Sequence, residues 1–410
     1  MNTTSLVKQA VLGEFVTINN ERYYAIKNVD QMETFFISLV SNSDHWLFIA
    51  SSGALTAGRK SSDTALFPYD CVDKIYDDAL NTGSKTILRI KQQDRSILWE
   101  PFNQEHSDRY KLERNLYKNT LGNKILFEEI NHTLGLSYRY SWHTSDTFGF
   151  VRTSELINNC DHSVSLDFID GLQNLLPAGT PKFAQTVSSN LVDAYKWNEV
   201  DSTDGLALLT LYSAITDRAE PCESLRATTL FSLGLDKPSI VLSNRHLHAF
   251  RQGKDIQAEN TSRGIRGAYF VTNSLVLAAN ESSTWQLVAN LEQTQSQIID
   301  LKKALSSPAD ITKHIQQSIA QGDNELASIL ARADGFQLVN EEAVGVHHYA
   351  NTLFNVLRGG IFSDQYNITK TDFVQNIKHF NVQVYARHIE FFNGLAQNVS
   401  VTDLLNQVEM

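Results

Sequence analysis

Cysteine is scarce in this 410-residue sequence: only Cys71, Cys160 and Cys222 occur. Their number is odd, they lie far apart, and no two of them have CxxC spacing. The pattern therefore disfavours a disulfide framework and a structural zinc site, and it favours reduced thiols in a reducing compartment. We expect a cytoplasmic protein.

Long hydrophobic runs are also missing. No stretch reaches the roughly 20 apolar residues that a helix needs to cross a bilayer. The first residues, MNTTSLVKQAVLGEF, contain no apolar run long enough for a secretory leader. These absences predict no membrane partner and agree with the cytoplasmic expectation.

Positive charge is in deficit. The chain has 35 basic and 46 acidic residues, which gives a formal net charge of −11. Nucleic-acid partners require a basic patch that neutralises phosphates, and anionic membrane surfaces attract basic segments. We therefore expect neither nucleic acid nor a membrane surface as a partner.

Sequence motifs for cofactors and metals are lacking as well. The stretch Ser51–Lys60 carries Gly53 and Gly58, but Arg59 stands where a phosphate-binding loop requires lysine. His246 and His248 would share one face of a strand, yet no HExxH motif or suitably spaced carboxylate accompanies them. The sequence predicts no cofactor and no metal site.

Alternation of large and small residues is the strongest positive signal. Residues 134–142 place five large side chains at every second position, which predicts a strand with one apolar face. Residues 124–131 precede it as a hairpin partner. Further predicted strands cover residues 35–40, 46–50, 85–90, 148–153, 163–169, 227–233 and 268–277. So many strands in series predict a large antiparallel double sheet, mainly β plus α, with about 12 or more strands.

The pattern changes near residue 280. Ser283 and Gln286 have the spacing of a capping box, which predicts a helix from there to about Leu305. Ser307 and Pro308 predict the start of the next helix. Further helices are expected over about 324–333, from 341 to Gly359-Gly360, and from about 369 to 392. We therefore expect a β-sandwich domain over residues 1–280 and a helical segment over residues 281–410.

Carboxylates are the first candidates for chemistry, because glycoside hydrolysis uses a pair of them. The options are Glu128 with Glu129, Asp146, Asp167 and Asp170. Neighbouring residues of a strand point to opposite faces, so Glu128 and Glu129 do not form a natural pair. The sequence brings no two of these residues together, and we assign no catalytic residue.

Aromatic residues are the second candidates. Tyr138, Tyr140 and Trp142 share one strand face and could stack against a sugar, although such a stripe also fits a sandwich core. In the loop before them in the chain, Ser52 and Arg59 offer a hydroxyl and a guanidinium. We name these five residues as candidate carbohydrate-binding residues.

Six stretches resemble the N-terminal β-sandwich and linker-helix region of bacterial proteins related to cellobiose phosphorylase, in the superfamily of inverting glycoside phosphorylases and hydrolases. They cover nearly the whole chain and lie at residues 45–70, 98–102, 138–153, 167–181, 278–291 and 347–362. The resemblance implies a sandwich of the galactose-mutarotase-like kind. It also implies that catalysis resides in an (α/α)6 domain or chain, for which the residues after Asn393 leave no room.

The resemblance implies a non-catalytic part of a carbohydrate-active enzyme that supports dimerisation and the architecture of a sugar site. By analogy, loop 51–60 would approach the active site of the neighbouring copy in a homodimer. Two alternatives stay open: a stand-alone carbohydrate-binding module, and a sandwich-fold sugar epimerase or lyase. Carbohydrate is the expected ligand in each case.

Overall fold

The structure is a computed structural model that describes residues 10–92, 95–213, 225–357 and 366–408. The chain forms two compact units, Met1–Gly322 and Asp323–Met410. In the described part of the chain, no helix is both long and apolar enough to span a bilayer.

Strands make up most of the first unit. They are β1 Leu12–Ile18, β2 Glu21–Lys27, β3 Phe36–Leu39, β4 His45–Ala50, β5 Leu55–Arg59, β6 Ala65–Phe67, β7 Gly83–Gln92, β8 Arg95–Trp99, β9 Leu112–Asn119, β10 Ile125–Asn131, β11 Leu136–Ser145, β12 Gly149–Asn158, β13 Val164–Leu175, β14 Lys196–Val200, β15 Ala207–Leu211, β16 Arg226–Leu233, β17 Ser239–Val241, β18 Thr261–Arg263, β19 Gly267–Leu277 and β20 Ser282–Thr294, followed in the second unit by β21 Asn367–Thr369 and β22 Asn398–Ser400.

Helices are short in the sandwich and longer towards the end of the chain. They are α1 Val72–Asp77, α2 Lys182–Val187, α3 Ser189–Tyr195, α4 Arg245–Arg251, α5 Gln295–Leu305, α6 Pro308–Arg332, α7 Glu342–Leu357, α8 Lys370–Phe380, α9 Val382–Arg387, α10 Ile389–Gly394 and α11 Val401–Val408, with short 3-10 turns at Val29–Gln31 and Gln104–His106.

Three antiparallel sheets build the sandwich. An 11-stranded sheet has the order β1-β2-β9-β10-β11-β12-β20-β16-β15-β14-β18, a 5-stranded sheet the order β17-β19-β13-β7-β8, and a 4-stranded sheet the order β3-β4-β5-β6. One hydrophobic core joins them, because Leu136, Leu166 and Ile49 from the three sheets belong to the same buried cluster. The predicted fold class, a large antiparallel double sheet followed by helices, is confirmed.

The hairpin of β10 and β11 follows the sequence pattern. Ile125 pairs with Trp142 and Phe127 with Tyr140 in the antiparallel register. The large residues of β11 face the core, where Tyr138 and Trp142 are 0% and 1% exposed. Period-two alternation therefore predicted both the strand and its buried face.

The predicted helix from Ser283 is wrong, because residues 282–294 form β20 of the large sheet. The change from strand to helix occurs at Gln295, where Thr294 and Gln297 form the capping box of α5. Helix α5 and the start of α6 pack on the large sheet, since Leu305, Ile311 and Ile315 share a buried cluster with Val288.

Two other helix predictions differ from the structure. The helices expected from Pro308 and over 324–333 are one continuous helix, α6. The helix expected over 369–392 is divided into α8, α9 and α10, with Asn381 capping α9 by accepting from the Val384 backbone N–H. The expected C-cap at Gly359-Gly360 lies outside the described residues.

The second unit has its own small core. Phe392, Leu395, Val399 and Leu404 form a buried cluster there. Strands β21 and β22 pair antiparallel beside it. The domain boundary at residue 280 stays a prediction, whereas the strand and helix bounds on either side of it are as given above.

Candidate functional site

A cleft of about 690 Å³ opens where segments from the three sheets of the sandwich meet. Four separated parts of the chain line it: Glu33 and Thr34 before β3, the turn at Ser52 and Gly53, the region from Tyr76 to Thr86, and the turn at Pro101–Glu105. Tyr140 of β11 contributes from the large sheet. Concave sites of this size commonly bind small molecules.

A strained turn forms one wall of the cleft. Phe102 has a φ of 62°, in the left-handed region that residues other than glycine seldom adopt. Its backbone N–H donates to Glu129 Oε2 at 2.8 Å. Glu129 is fully buried, and it also accepts from Arg114 Nε at 2.6 Å and from Trp99 Nε1 at 2.7 Å. These contacts hold the turn in a conformation that costs on the order of 1 kcal/mol.

Lys85 of β7 brings a cation into the cleft, but a buried carboxylate offsets its charge. Lys85 Nζ lies 3.2 Å from Glu100 Oε2, and the Glu100 side chain is 2% exposed. Burial acts to raise the pKa of Glu100, but the Arg251 hydrogen bond and the Lys85 charge lower it to about 2. Glu100 therefore stays ionised at neutral pH. Its charge is shared between Lys85 and Arg251, whose Nε lies 2.5 Å from Glu100 Oε1.

Serine hydroxyls without protein partners lie in the wall of the same cleft. Within the described part of the chain, the buried Oγ atoms of Ser52 and Ser84 have no hydrogen-bond partner. The Tyr140 hydroxyl also lines the cleft, although the residue is only 4% exposed. Buried hydroxyls cost free energy when they are unsatisfied, so these groups suit a ligand that carries hydroxyls of its own.

Gly53 gives the Tyr140 hydroxyl its access to the cleft. Gly53 has a φ of +90°, and a Cβ built there would lie 2.7 Å from the Tyr140 hydroxyl oxygen. A side chain at this position would therefore both strain the turn and cover the hydroxyl. In the sequence, Gly53 belongs to the glycine-bearing stretch Ser51–Lys60, and the structure adds its close approach to Tyr140.

The predicted aromatic platform requires correction. Tyr138 and Trp142 are buried in the core, so neither ring can present a face to a sugar. The Tyr138 hydroxyl instead receives a hydrogen bond from Arg152 at 2.6 Å. Of the three aromatic residues, Tyr140 alone reaches the cleft, and it does so without an exposed ring face.

The two candidates from loop 51–60 separate. Ser52 lines the cleft, whereas Arg59 ends β5 and makes contacts within the protein. Arg59 Nε donates to Asp44 Oδ1 at 2.6 Å, and its terminal nitrogens contact Asp146 and Asn290. Arg59 therefore joins segments of the fold, and the structure does not place it with Ser52 in the cleft.

Each of the candidate acids forms an ion pair with a basic side chain of the protein. Glu128 pairs with Arg139 at 2.6 Å, Glu129 with Arg114 at 2.6 Å, and Asp170 with Arg152 at 2.9 Å. On the surface, Asp146 pairs with Arg59 at 3.2 Å and Asp167 with Lys91 at 2.6 Å. These carboxylates neutralise basic side chains of the fold.

The two alternating histidines lie on a helix instead of a strand. His246 and His248 belong to α4, where positions two apart diverge by about 200°. His246 Nε2 contacts Glu259 at 3.0 Å. The strand geometry that would have placed both rings on one face is therefore wrong.

Sequence reasoning missed Ser84, Lys85 and Phe102. The turn residues of Pro101-Phe102-Asn103 gave a local signal for a loop. Ser84, Lys85 and Phe102 lie near Ser52 and Tyr140 only because the three sheets pack together. A local sequence pattern cannot predict that packing. Ser52 and Tyr140 are the two predicted residues that the structure does bring to one cleft.

Comparison with known proteins gives one family match. Residues 362–410 match the model described as glycoside hydrolase family 149 insertion domain 1. The match confirms the resemblance of the chain to glycoside phosphorylases and hydrolases, and it relates the chain to carbohydrate-active enzymes. Among curated proteins, none matches the chain.

Several solved structures are similar at low sequence identity. A protein described as a kojibiose phosphorylase from the human microbiome has a TM-score of 0.38 and 11% identity, and the match covers 87% of this chain and 44% of that one. A polysaccharide lyase has a TM-score of 0.35 and 11% identity, and the match covers 65% of this chain and 33% of that one. A bacterial glucoamylase has a TM-score of 0.34 and 11% identity, and the match covers 78% of this chain and 40% of that one. The chain thus spans between a third and a half of the length of these proteins.

Proposed function

We propose that the chain is a non-catalytic sandwich part of a carbohydrate-active enzyme, and that its cleft binds a glycan. The observation that carries the proposal is that Ser52, Ser84 and Tyr140, three residues with hydroxyl groups, line one concave site. The buried Oγ atoms of the two serines have no hydrogen-bond partner among the described residues. Sugars offer hydroxyls that both donate and accept, so they match such groups well.

The state of the acidic residues supports a non-catalytic role. Hydrolysis of a glycosidic bond needs one carboxylic acid and one carboxylate on opposite sides of the bond. The buried candidates Glu128, Glu129 and Asp170 each neutralise an arginine, and the Arg139 charge helps to lower the pKa of Glu128. A carboxylate held in this way is a poor general acid at neutral pH.

The direct test is binding without turnover. The purified chain is titrated with a panel of oligosaccharides by calorimetry and incubated with the same panel with and without phosphate. We expect binding of at least one oligosaccharide and no release of sugar or sugar phosphate. The Ser52→Ala/Ser84→Ala double variant should bind on the order of 30-fold more weakly, because each of the two lost hydrogen bonds costs about 1 kcal/mol.

A matched variant separates the cleft from general effects. Ser165 lies on β13 away from the cleft lining, and Ser165→Ala should bind as the wild type does. Equal weakening in both variants, or turnover of any oligosaccharide by the chain alone, would contradict the proposal.

The wider setting is part of the same proposal. We infer that catalysis is supplied by an (α/α)6 domain or chain, and that the sandwich acts as a homodimer. The free thiols of Cys71 and Cys160 support a reducing compartment such as the cytoplasm. Co-expression with a chain that carries such a domain tests the first point: a stable complex with sugar turnover is expected, and absence of any complex argues against it.

A further inference from the structure

Charged groups at the rim of the cleft are mostly acidic. Glu33, Asp77 and Glu105 line it and are exposed to solvent. Among the described residues, no basic group forms an ion pair with Glu33 or Asp77. Lys85 is the one cation among the described lining residues, and it shares the buried Glu100 with Arg251.

Three exposed carboxylates and one ammonium group among the lining residues give the cleft a net negative charge. Exposed charges act over a Debye length of about 8 Å at physiological salt, which is comparable to the size of a sugar ring. Low-dielectric walls concentrate the field of such charges in a concave site. A charged sugar in the cleft would therefore interact electrostatically with the carboxylates even without direct contact.

The hydroxyls deeper in the cleft provide an observation that is independent of the rim. Tyr140 is 4% exposed, and its hydroxyl lines the cleft without a partner in the described part of the chain. The Oγ atoms of Ser52 and Ser84, also without partners among the described residues, lie buried in the wall of the cleft. The hydroxyls indicate a polyhydroxylated ligand, and the rim adds selection by charge.

We propose that the cleft selects glycans by charge, so that it favours sugars with a protonated amine, such as 2-amino-2-deoxy sugars, and excludes sugars with carboxylates or sulfates. The proposal rests on the proposed function, because it names the ligand class of the same cleft. Like charges placed together cost several kcal/mol at close range, and opposite charges accelerate and strengthen association.

A matched series of trisaccharides tests the selection. The β-1,4-linked trimers of glucosamine, glucose and glucuronic acid differ in charge and share one backbone. The measurement is made at about pH 6, where the sugar amine carries a positive charge and the sugar carboxylate a negative one. By calorimetry on the full chain, we expect the glucosamine trimer to bind on the order of tenfold more tightly than the glucose trimer, and the glucuronic acid trimer not to bind.

A charge variant assigns the effect to the rim. In Glu33→Gln/Asp77→Asn/Glu105→Gln the preference for the amine should disappear, while binding of the glucose trimer is retained. The matched control is Glu14→Gln/Asp255→Asn/Asp300→Asn, which removes the same number of exposed charges outside the cleft lining and should keep the preference.

The outcomes separate the two proposals. Equal affinities for the three trimers, or tightest binding of the glucuronic acid trimer, would overturn the charge selection and leave the glycan-binding function standing. A preference that survives in the rim variant would also overturn it. Binding of none of the three trimers would overturn the proposed function together with the selection.

Discussion

At the scale of residues, a buried ion pair joins the two large sheets of the sandwich. Arg152 of β12 and Asp170 of β13 are both 0% exposed, and Arg152 Nη1 lies 2.9 Å from Asp170 Oδ1. Asp170 also accepts from Trp285 Nε1 at 2.6 Å and from Thr86 Oγ1 at 2.7 Å. A buried charge of this kind is stable only while its partners remain in place.

Asp170→Asn should therefore destabilise the protein strongly. The substitution leaves the Arg152 charge uncompensated in the core, which typically costs about 3–5 kcal/mol. The control is Asp146→Asn, because Asp146 is 66% exposed in its pair with Arg59 and such pairs contribute about 0–1 kcal/mol. Urea titration measures the free energy of unfolding of both variants. Equal and small decreases in that free energy would show that the buried pair is dispensable for stability.

A buried histidine should make the stability of the fold sensitive to acid. His45 is 8% exposed, and burial together with the Arg59 charge lowers its pKa from 6.5 to about 3. The native state thus keeps His45 neutral, while the unfolded chain takes up a proton below about pH 6.5. Stability is then lost as the pH falls from about 6.5 towards 3, by about 1.4 kcal/mol per pH unit from this group.

His45→Gln should reduce that slope. The free energy of unfolding, measured by urea titration between pH 6 and pH 4, should depend less steeply on pH in the variant than in the wild type. The exposed His162, whose side chain is 70% accessible, provides the control variant His162→Gln. If the two variants have the same slope as the wild type, His45 is not the acid-sensitive group.

Single residues were the hardest part of the site to predict. Tyr138, Tyr140 and Trp142 have the same pattern in sequence, yet one of them reaches the cleft and two do not. The difference arises from Gly53, which lies far away in the chain and leaves space at the Tyr140 hydroxyl, while Phe102 packs edge-on against the Tyr140 ring. A local pattern identifies the face of a strand, but it cannot reveal which position on that face lies next to a gap.

At the scale of elements, β20 explains why the sequence suggests a helix there. Trp285, Leu287, Ala289 and Leu291 alternate towards the main core, while Val288 faces the cluster with α5 and α6. Because both faces of this part of the strand are covered, apolar residues also occupy consecutive positions. Such a run cannot be told from a buried helix by periodicity alone.

The capping box gives a direct test of this assignment. Thr294→Ala removes the side chain that caps α5 and should lower the free energy of unfolding by about 1 kcal/mol. Ser283→Ala, at the position that the sequence favours as a cap, should have almost no effect because Ser283 lies within β20. Urea titration gives the free energy of unfolding of both variants. A larger loss in Ser283→Ala than in Thr294→Ala would support a helix that begins at Ser283.

Each of the nine predicted strands overlaps a strand of the structure, as for residues 268–277 and β19 Gly267–Leu277, because its sequence signal is local. The sequence pattern does not predict the other strands, such as β9 and β14. The sheet order is not local, since β20 lies between β12 and β16. Pairing across such distances depends on which faces bury together, and one sequence does not contain that information.

At the scale of the whole molecule, the division at Gly322 and Asp323 should be visible in unfolding. Two compact units with separate cores need not unfold together, so the chain should depart from two-state behaviour. In scanning calorimetry, the measured enthalpy should exceed the van 't Hoff enthalpy. Leu353→Ala, in the buried part of α7, should lower the midpoint temperature of only one of the two transitions.

A single transition with equal enthalpies would contradict this view of the molecule. So would a Leu353→Ala variant in which every part of the unfolding curve moves to the same extent. Leu166→Ala, in the main core, is the matched change in the first unit.

Glycan binding by the cleft of the sandwich, as proposed above, should be visible in the backbone dynamics of the segments that line it. Hydrogen–deuterium exchange of the whole chain, with and without an oligosaccharide that binds in calorimetry, measures this most directly. We predict slower exchange in the segments around Ser52, Ser84 and Phe102, with no change in β14 and β15, because ligand contacts protect the backbone that they order. Protection elsewhere in the described chain, with unchanged exchange in the three cleft segments, would contradict the account.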